Sequence, residues 1–237
     1  LTELLNHYQP QMIINASAYT AVDLAENERD LAFAVNCEAV GLMAKYVASA
    51  SNGVLLHFST DYVYSGLKKV RYLESDVPEP ASVYGQSKLA GEQAIKEAFN
   101  LVHDSAHATY QDKFSRYFIL RTSWVYGDGG NFIRTMLRLA GERDQLKVVA
   151  DQIGAPSSAQ WLAEVGIQLA GSRVESGIYH AVPDGETSWH GLAVFAIETA
   201  ASAGEGLEVK SENILPIPAT DYPLPAKRPY NSRLNNQ

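Results

Sequence analysis

Cysteine is almost missing from this 237-residue chain: Cys37 is the only one, which excludes an internal disulfide and a cysteine-built metal cluster. A reducing, cytoplasmic setting is the expectation that follows. Basic residues are also in short supply, with 19 Lys and Arg against 27 Asp and Glu and a formal net charge of -8. A chain-wide basic footprint is therefore absent, and no nucleic-acid partner is expected. No apolar run approaches the roughly 20 residues of a membrane span and no signal peptide is visible, so no membrane partner is expected either. Internal repeats, low-complexity linkers and any G-x-x-G-x-x-G turn are missing too. So is a first methionine: Leu1 reads as mid-helix, and the chain is expected to be a fragment or one whose ends are not included.

What remains is an ordinary globular composition, 46% hydrophobic and 19% charged. Residues 12–18 form a short apolar run read as a buried strand. Apolar residues at helical spacing fill 30–50, and Asn52-Gly53 ends that helix. A second strand is expected over 54–60, a loop over 61–81 and a helix over 82–99. Residues 100–114 read as a loop or irregular insertion, and 117–123 as a third strand. Helices are expected over 131–141, over 160–170 with Ser158 as N-cap, and from Thr187 or Ser188 to about residue 203. Short strands are expected at 146–150 and 178–182. Pro216, Pro218, Pro223, Pro225 and Pro229 mark an irregular C-terminal segment. Strands alternating with helices predict an α/β fold with a mainly parallel sheet, whose ligands bind beyond the carboxyl ends of the strands.

Tyr84-Gly-Gln-Ser-Lys88 is the most informative motif. Four residues apart on a helix, the phenol and the ammonium share one face. A neighbouring cation favours the phenolate and lowers its pKa, which suits a tyrosine general acid or base. The spacing alone is weak, because Tyr64-x-x-x-Lys68 repeats it in a turn; the plain alternative is an exposed helical pair. Thr60 adds context, since a hydroxyl ending a buried strand points into the ligand crevice of such a sheet. Thr60, Tyr84 and Lys88 could together bind a carbonyl oxygen and protonate it during hydride delivery.

These residues lie in six segments that resemble, in order and over nearly the whole chain, the extended short-chain dehydrogenase/reductases, and within them the dTDP-4-dehydrorhamnose reductase family. The segments are 15–23 (NASAYTAVD), 59–64 (STDYVY), 84–92 (YGQSKLAGE), 121–126 (RTSWVY), 151–156 (DQIGAP) and 225–234 (PAKRPYNSRL). The resemblance implies a Rossmann-like, doubly wound parallel sheet. It implies a nucleotide-binding part over 1–150, N-terminally incomplete, and a mainly substrate-binding part over 151–237, with approximate boundaries. The implied reaction is reduction of the C4 ketone of dTDP-4-dehydro-L-rhamnose by NADPH or NADH. In it Tyr84 is the proton donor, Lys88 lowers the pKa of Tyr84 and holds the nicotinamide ribose, and Thr60 bonds the carbonyl. Ala16, Ser17, Ala18 and Tyr19 would line the cofactor, while Asp61 and Tyr62 would contact the sugar and Trp124 the substrate. Asn131 opens a helix whose N–H groups could receive a diphosphate, and its plain alternative is an N-cap. For Trp124 the plain alternative is a strand-end core aromatic.

Two departures from the family stand out. The Gly-rich turn that carries the pyrophosphate is missing, and with it the residue that selects NAD or NADP. Residues 100–116 are longer than the family needs. Some members are metal-linked homodimers using Mg2+, but no carboxylates for that ion are placed here, and no metal residue is named. His103 and His107 have metal-ligand spacing with no third ligand. Trp189-His190 reads as a packing pair that opens a helix, and His57 as a core histidine. Lys227, Arg228 and Arg233 form a basic tail that could meet an anionic nucleotide sugar. Rival expectations are another sugar-nucleotide reductase or epimerase, and a non-catalytic regulatory subunit of a methionine adenosyltransferase.

Overall fold

The computed structural model describes residues 1–103 and 115–237. Helix α1 (Thr2–Tyr8) leads into β1 (Met12–Asn15). Then α2 (Arg29–Phe33), a π-helical turn (Ala34–Glu38) and α3 (Ala39–Ala48) form one continuous helical run. Strand β2 (Val54–Thr60), helix α4 (Val83–His103) and strand β3 (Arg116–Thr122) follow. Next come β4 (Val125–Tyr126), α5 (Phe132–Ala140), β5 (Leu146–Val149), β6 (Ile153–Gly154) and β7 (Ser157–Ser158). The chain closes with α6 (Ala159–Gly171), β8 (Gly177–His180), β9 (Thr187–Ser188), α7 (Trp189–Ser202) and β10 (Ile214–Ile217).

The main sheet has the order β1-β2-β3-β8, and every neighbouring pair is parallel. Strands β2 and β3 are central and buried on both faces, which explains their apolar runs VLLHFST and YFILRT. Period-two alternation divides their side chains. Leu55 and Ile119 pack with Val40, Ala44 and Val47 of α3 and Ile95 and Phe99 of α4. Leu56, Phe118 and Leu120 pack on the other face against Leu162 and Ala170 of α6. Each fully buried Leu, Ile or Phe contributes about 1.5–3 kcal/mol. A smaller layer joins α5, α7 and the parallel pair β5–β10 through Ala140, Leu146, Val148, Ala193, Ile197 and Ile214.

Four expectations need correction. First, β1 is an edge strand, with Met12 and Ile14 exposed on one side, because it pairs only with β2 among the described residues. Second, α4 runs on to His103, so 100–103 are helical; the rest of the expected loop, and with it His107, lies outside the described residues. Third, Pro216 sits inside β10 and not in an irregular segment. Fourth, Arg29–Ala48 is a 20-residue helical run long and apolar enough, by length and composition, to cross a membrane. Its apolarity is that of a core helix: Val40, Ala44 and Val47 are fully buried against α4 and the sheet.

Candidate active site

The sheet brings Asn15, Thr60 and Thr122 to its carboxyl edge. Thr60 ends β2 and caps the 3₁₀ turn Asp61–Val63, accepting from the Tyr62 N–H at 3.2 Å. Its hydroxyl donates to Asp61 Oδ1 at 3.1 Å. Asp61 is buried, its Oδ2 has no hydrogen-bond partner among the described residues, and desolvation raises its carboxyl to about 6. The Tyr62 ring meets the Tyr84 ring edge-on at 5.5 Å. Gly85 makes that approach feasible: a Cβ there would lie 2.2 Å from the Tyr62 carbonyl oxygen.

Tyr84 stands on the first turn of α4. Desolvation raises its hydroxyl to about 12, against an opposing hydrogen bond with Thr60. The direction is opposite to the one expected from Lys88. The ammonium is turned elsewhere: Lys88 Nζ donates to the Phe58 carbonyl at 2.7 Å and lies 3.3 Å from His57 Nε2. Burial lowers Lys88 to about 8, with Glu92 pulling the other way.

His57 lies beneath this lysine because β2 alternation places it on the α4 face with Leu55. Asn15 Oδ1 accepts from the Ser17 N–H and hydroxyl, which leaves its Nδ2 to donate to His57 Nδ1 at 3.0 Å. Neutral His57 therefore carries its proton on Nε2, facing Lys88. Burial, then the Lys88 charge, hold its imidazole well below the ordinary range. The cofactor-lining candidates Ala16, Ser17, Ala18 and Tyr19 follow β1. Tyr19 is anchored by Asn36, whose Oδ1 accepts from the Tyr19 N–H at 2.8 Å and whose Nδ2 donates to the Ser87 hydroxyl at 2.9 Å. Asn36 sits in the π-helical turn, a feature frequent at functional sites.

Asn131 caps α5: its Oδ1 accepts from the Arg134 N–H at 3.1 Å and its Nδ2 donates to the carbonyls of Gly127 and Gly129. The basic tail is not a cluster of three free cations. Arg233 bonds Glu186 and Asn231, and Arg228 Nη2 donates to Asp23 Oδ2 at 2.6 Å. Arg228 Nη1 is buried and unpartnered among the described residues. The Arg228 side chain borders a cavity of about 370 Å³ lined also by Tyr62, Phe132, Gln152 and Trp189. Trp124 is half-buried and does not itself line this cavity; it stacks on Trp189, which does, with ring centroids 3.6 Å apart. Tyr64 and Lys68, the second match to the spacing, do not meet: Tyr64 bonds the Leu73 carbonyl and Lys68 pairs with Asp76. No group of three or more metal-ligating side chains occurs among the described residues.

Sequence reasoning missed His57, Asn15 and Asn36 as supports of this site. The alternation that makes β2 a strand was a signal for His57, since it sets residue 57 on the α4 face. Nothing local marks Asn36, whose partners lie 17 and 51 residues away.

Similar relatives include the dTDP-4-dehydrorhamnose reductase of Shigella flexneri, 42% identical over 242 residues, covering 100% of this chain and 75% of that protein. The reductase of the same name from Escherichia coli strain K12 is 40% identical over the same shares. Among solved structures, the dTDP-4-dehydrorhamnose reductase of Bacillus anthracis in complex with NADP superposes with a TM-score of 0.81 at 36% identity, covering 100% of this chain and 75% of that one. Across residues 1–237 the chain matches the family model described as the RmlD substrate binding domain, and it belongs to that family.

Proposed function

We propose that this protein reduces the C4 ketone of dTDP-4-dehydro-L-rhamnose to dTDP-L-rhamnose, with Tyr84 as proton donor. The observation that carries the reading is the meeting of Thr60, Asp61, Tyr62 and Tyr84 at the sheet's carboxyl edge, beside an apolar cavity that ends on Arg228. The relatives of the same family, at about 40% identity, are reductases of this ketone by name. In this reading residues 1–150 mainly bind nucleotide and 151–237 mainly bind substrate.

The residues present fit a nicotinamide cofactor: a small-side-chain loop, 16–18, leaves the edge of β1, and a buried lysine with a perturbed ammonium lies one turn from the tyrosine. NADPH or NADH, when bound, supplies hydride to the ketone carbon. Tyr84 is held protonated at neutral pH by its raised pKa, so its proton is available when negative charge develops on the carbonyl oxygen. The developing alkoxide is more basic than the phenolate, so the transfer runs downhill. Thr60, oriented by Asp61 and the Tyr62 N–H, lies within reach of the same oxygen. Lys88, its ammonium held on the Phe58 carbonyl one turn along α4, would hold the nicotinamide ribose. Arg228 Nη1 has no partner among the described residues and can take a diphosphate oxygen.

The test is reduced-nicotinamide oxidation at 340 nm with the purified chain and a panel of nucleotide keto-sugars. Turnover confined to dTDP-4-dehydro-L-rhamnose, with dTDP-L-rhamnose as product, supports the reading. Turnover of another nucleotide sugar only, or none with capture of a methionine adenosyltransferase, overturns it.

A further inference from the structure

Trp124 has a φ of 49°, a left-handed conformation that a bulky residue keeps only when its surroundings hold it there. Three contacts do so. The Trp124 carbonyl accepts from the Ser157 N–H at 3.2 Å. The indole stacks on Trp189 with 13° between planes. It also lies against Gly154, where an added Cβ would sit 2.6 Å from Cε2. Two small strand pairs bring these together. Pairing of β4 with β7 sets Val125 opposite Ser157, and antiparallel pairing of β6 with β9 sets Gly154 opposite Thr187, two residues before Trp189. Ser188 caps α7 on the Gly191 N–H at 2.9 Å and so fixes the helix that carries Trp189. The Phe132 ring backs Trp189 at 4.6 Å.

We propose that Trp189 is a positioning residue: its stack on Trp124, with the bare backbone of Gly154, holds that indole where it meets the sugar. This rests on the substrate reading above, with Trp124 as one of its substrate contacts. Trp189 then acts through Trp124, and Gly154 is required because any side chain would displace the indole.

The experiment has a spectroscopic arm and a binding arm. Stacked indoles give an exciton couplet in far-ultraviolet circular dichroism. The wild type should show it, Trp161→Phe should keep it, and Trp124→Phe, Trp189→Leu and Gly154→Ala should each lose it. A wild type without the couplet overturns the proposal. In calorimetric titrations with dTDP-L-rhamnose, Trp189→Leu and Gly154→Ala should each weaken binding about tenfold, and Trp189→Phe less, because one aromatic stack is lost or shrunk. In a Trp124→Phe background, Trp189→Leu should add almost nothing, the mark of a residue acting through another. A full additive loss there overturns the proposal, because Trp189 would then touch the ligand itself. If Trp189→Leu fails to fold, Gly154→Ala carries the test on the opposite wall of the contact. A wild type that binds dTDP-L-rhamnose but does not reduce the ketone sinks the functional reading and leaves this result standing. A wild type that does not bind it sinks both.

Discussion

Lys88 and Glu92 lie one turn apart on α4, face the same side of the sheet, and are 2% and 1% exposed. Their treatment differs completely. Glu92 receives Arg121 on two nitrogens, at 2.9 and 2.5 Å, and the Ser59 hydroxyl at 2.5 Å. Burial disfavours the Arg121 charge, yet Glu92 and Tyr64 hold its pKa above the ordinary value. Among the described residues Lys88 has no carboxylate within bonding distance: its acceptor is the Phe58 carbonyl, the His57 Nε2–H faces it at 3.3 Å, and its ammonium is pushed down to about 8. The Arg121–Glu92 pair is thus a satisfied buried charge that fixes the α4–sheet packing. Lys88, Tyr84 and Asp61 are instead each shifted first of all by burial, the physical condition for titratable chemistry.

Breaking the chemical region should have the largest effect on rate. Tyr84→Phe removes the proton donor together with its hydrogen bond to Thr60 and keeps the ring, so the turnover number should fall about 10³-fold while dTDP-L-rhamnose binding changes little. An undiminished rate would defeat the mechanism. The next largest effect tests the structural region. Glu92→Gln strands the buried Arg121 charge and should lower unfolding free energy by about 3–5 kcal/mol in urea. Lys88→Met should instead hold or raise stability at pH 7 while lowering the rate. The sign follows from its depressed pKa: folding disfavours the ammonium below about pH 8, and wild-type stability recovers as pH rises from 8 through 10.5. The variant lacks that rise. A Lys88→Met protein as destabilised as Glu92→Gln would erase the contrast.

How far this was legible in the sequence differs between the regions for the same reason. Strands β2 and β3 read correctly because both faces are buried, which leaves an apolar run in the sequence. The helix carrying Tyr84 and Lys88 read correctly from its apolar spacing, and the caps Ser158, Ser188 and Asn131 from their side-chain chemistry. Strand β1 misread as buried because its neighbours in the sheet are set by topology and not by its own residues. The opposite pKa direction of Tyr84 was out of reach as well: helical spacing brings two Cβ atoms together, but the long lysine stem chose the Phe58 carbonyl. The left-handed Trp124 and the Arg228–Asp23 pair, 205 residues apart, carry no local signature at all.

Asp61 sharpens the contrast through pH. Its carboxyl moves from 3.8 to about 6 by desolvation. A shift of roughly 2 units corresponds to about 3 kcal/mol of penalty on the ionised form. A raised acid favours the fold below the unfolded pKa, and that benefit is lost as pH rises through about 6. Asp61→Asn keeps an acceptor for the Thr60 hydroxyl but carries no charge. Its melting temperature should exceed the wild type by several degrees at pH 8 and by nothing near pH 4. An equal gain at both pH values would show that the buried charge was not the cause.

Arg228 is paired through Nη2 with Asp23 and, among the described residues, has no partner at buried Nη1. Its smaller effect decides which half matters. If the bare nitrogen takes a diphosphate oxygen, Arg228→Ala should raise the Michaelis constant for the nucleotide sugar about tenfold and leave that for the nicotinamide cofactor alone. Asp23→Asn removes the pairing charge but leaves the guanidinium in place, so it should cost less than Arg228→Ala on the same constant. Should the two variants match, the Asp23 contact alone orders the C-terminal segment and Nη1 has no ligand role. Should Arg228→Lys recover only part of the affinity, the planar fork, and not the charge alone, is what the anion reads.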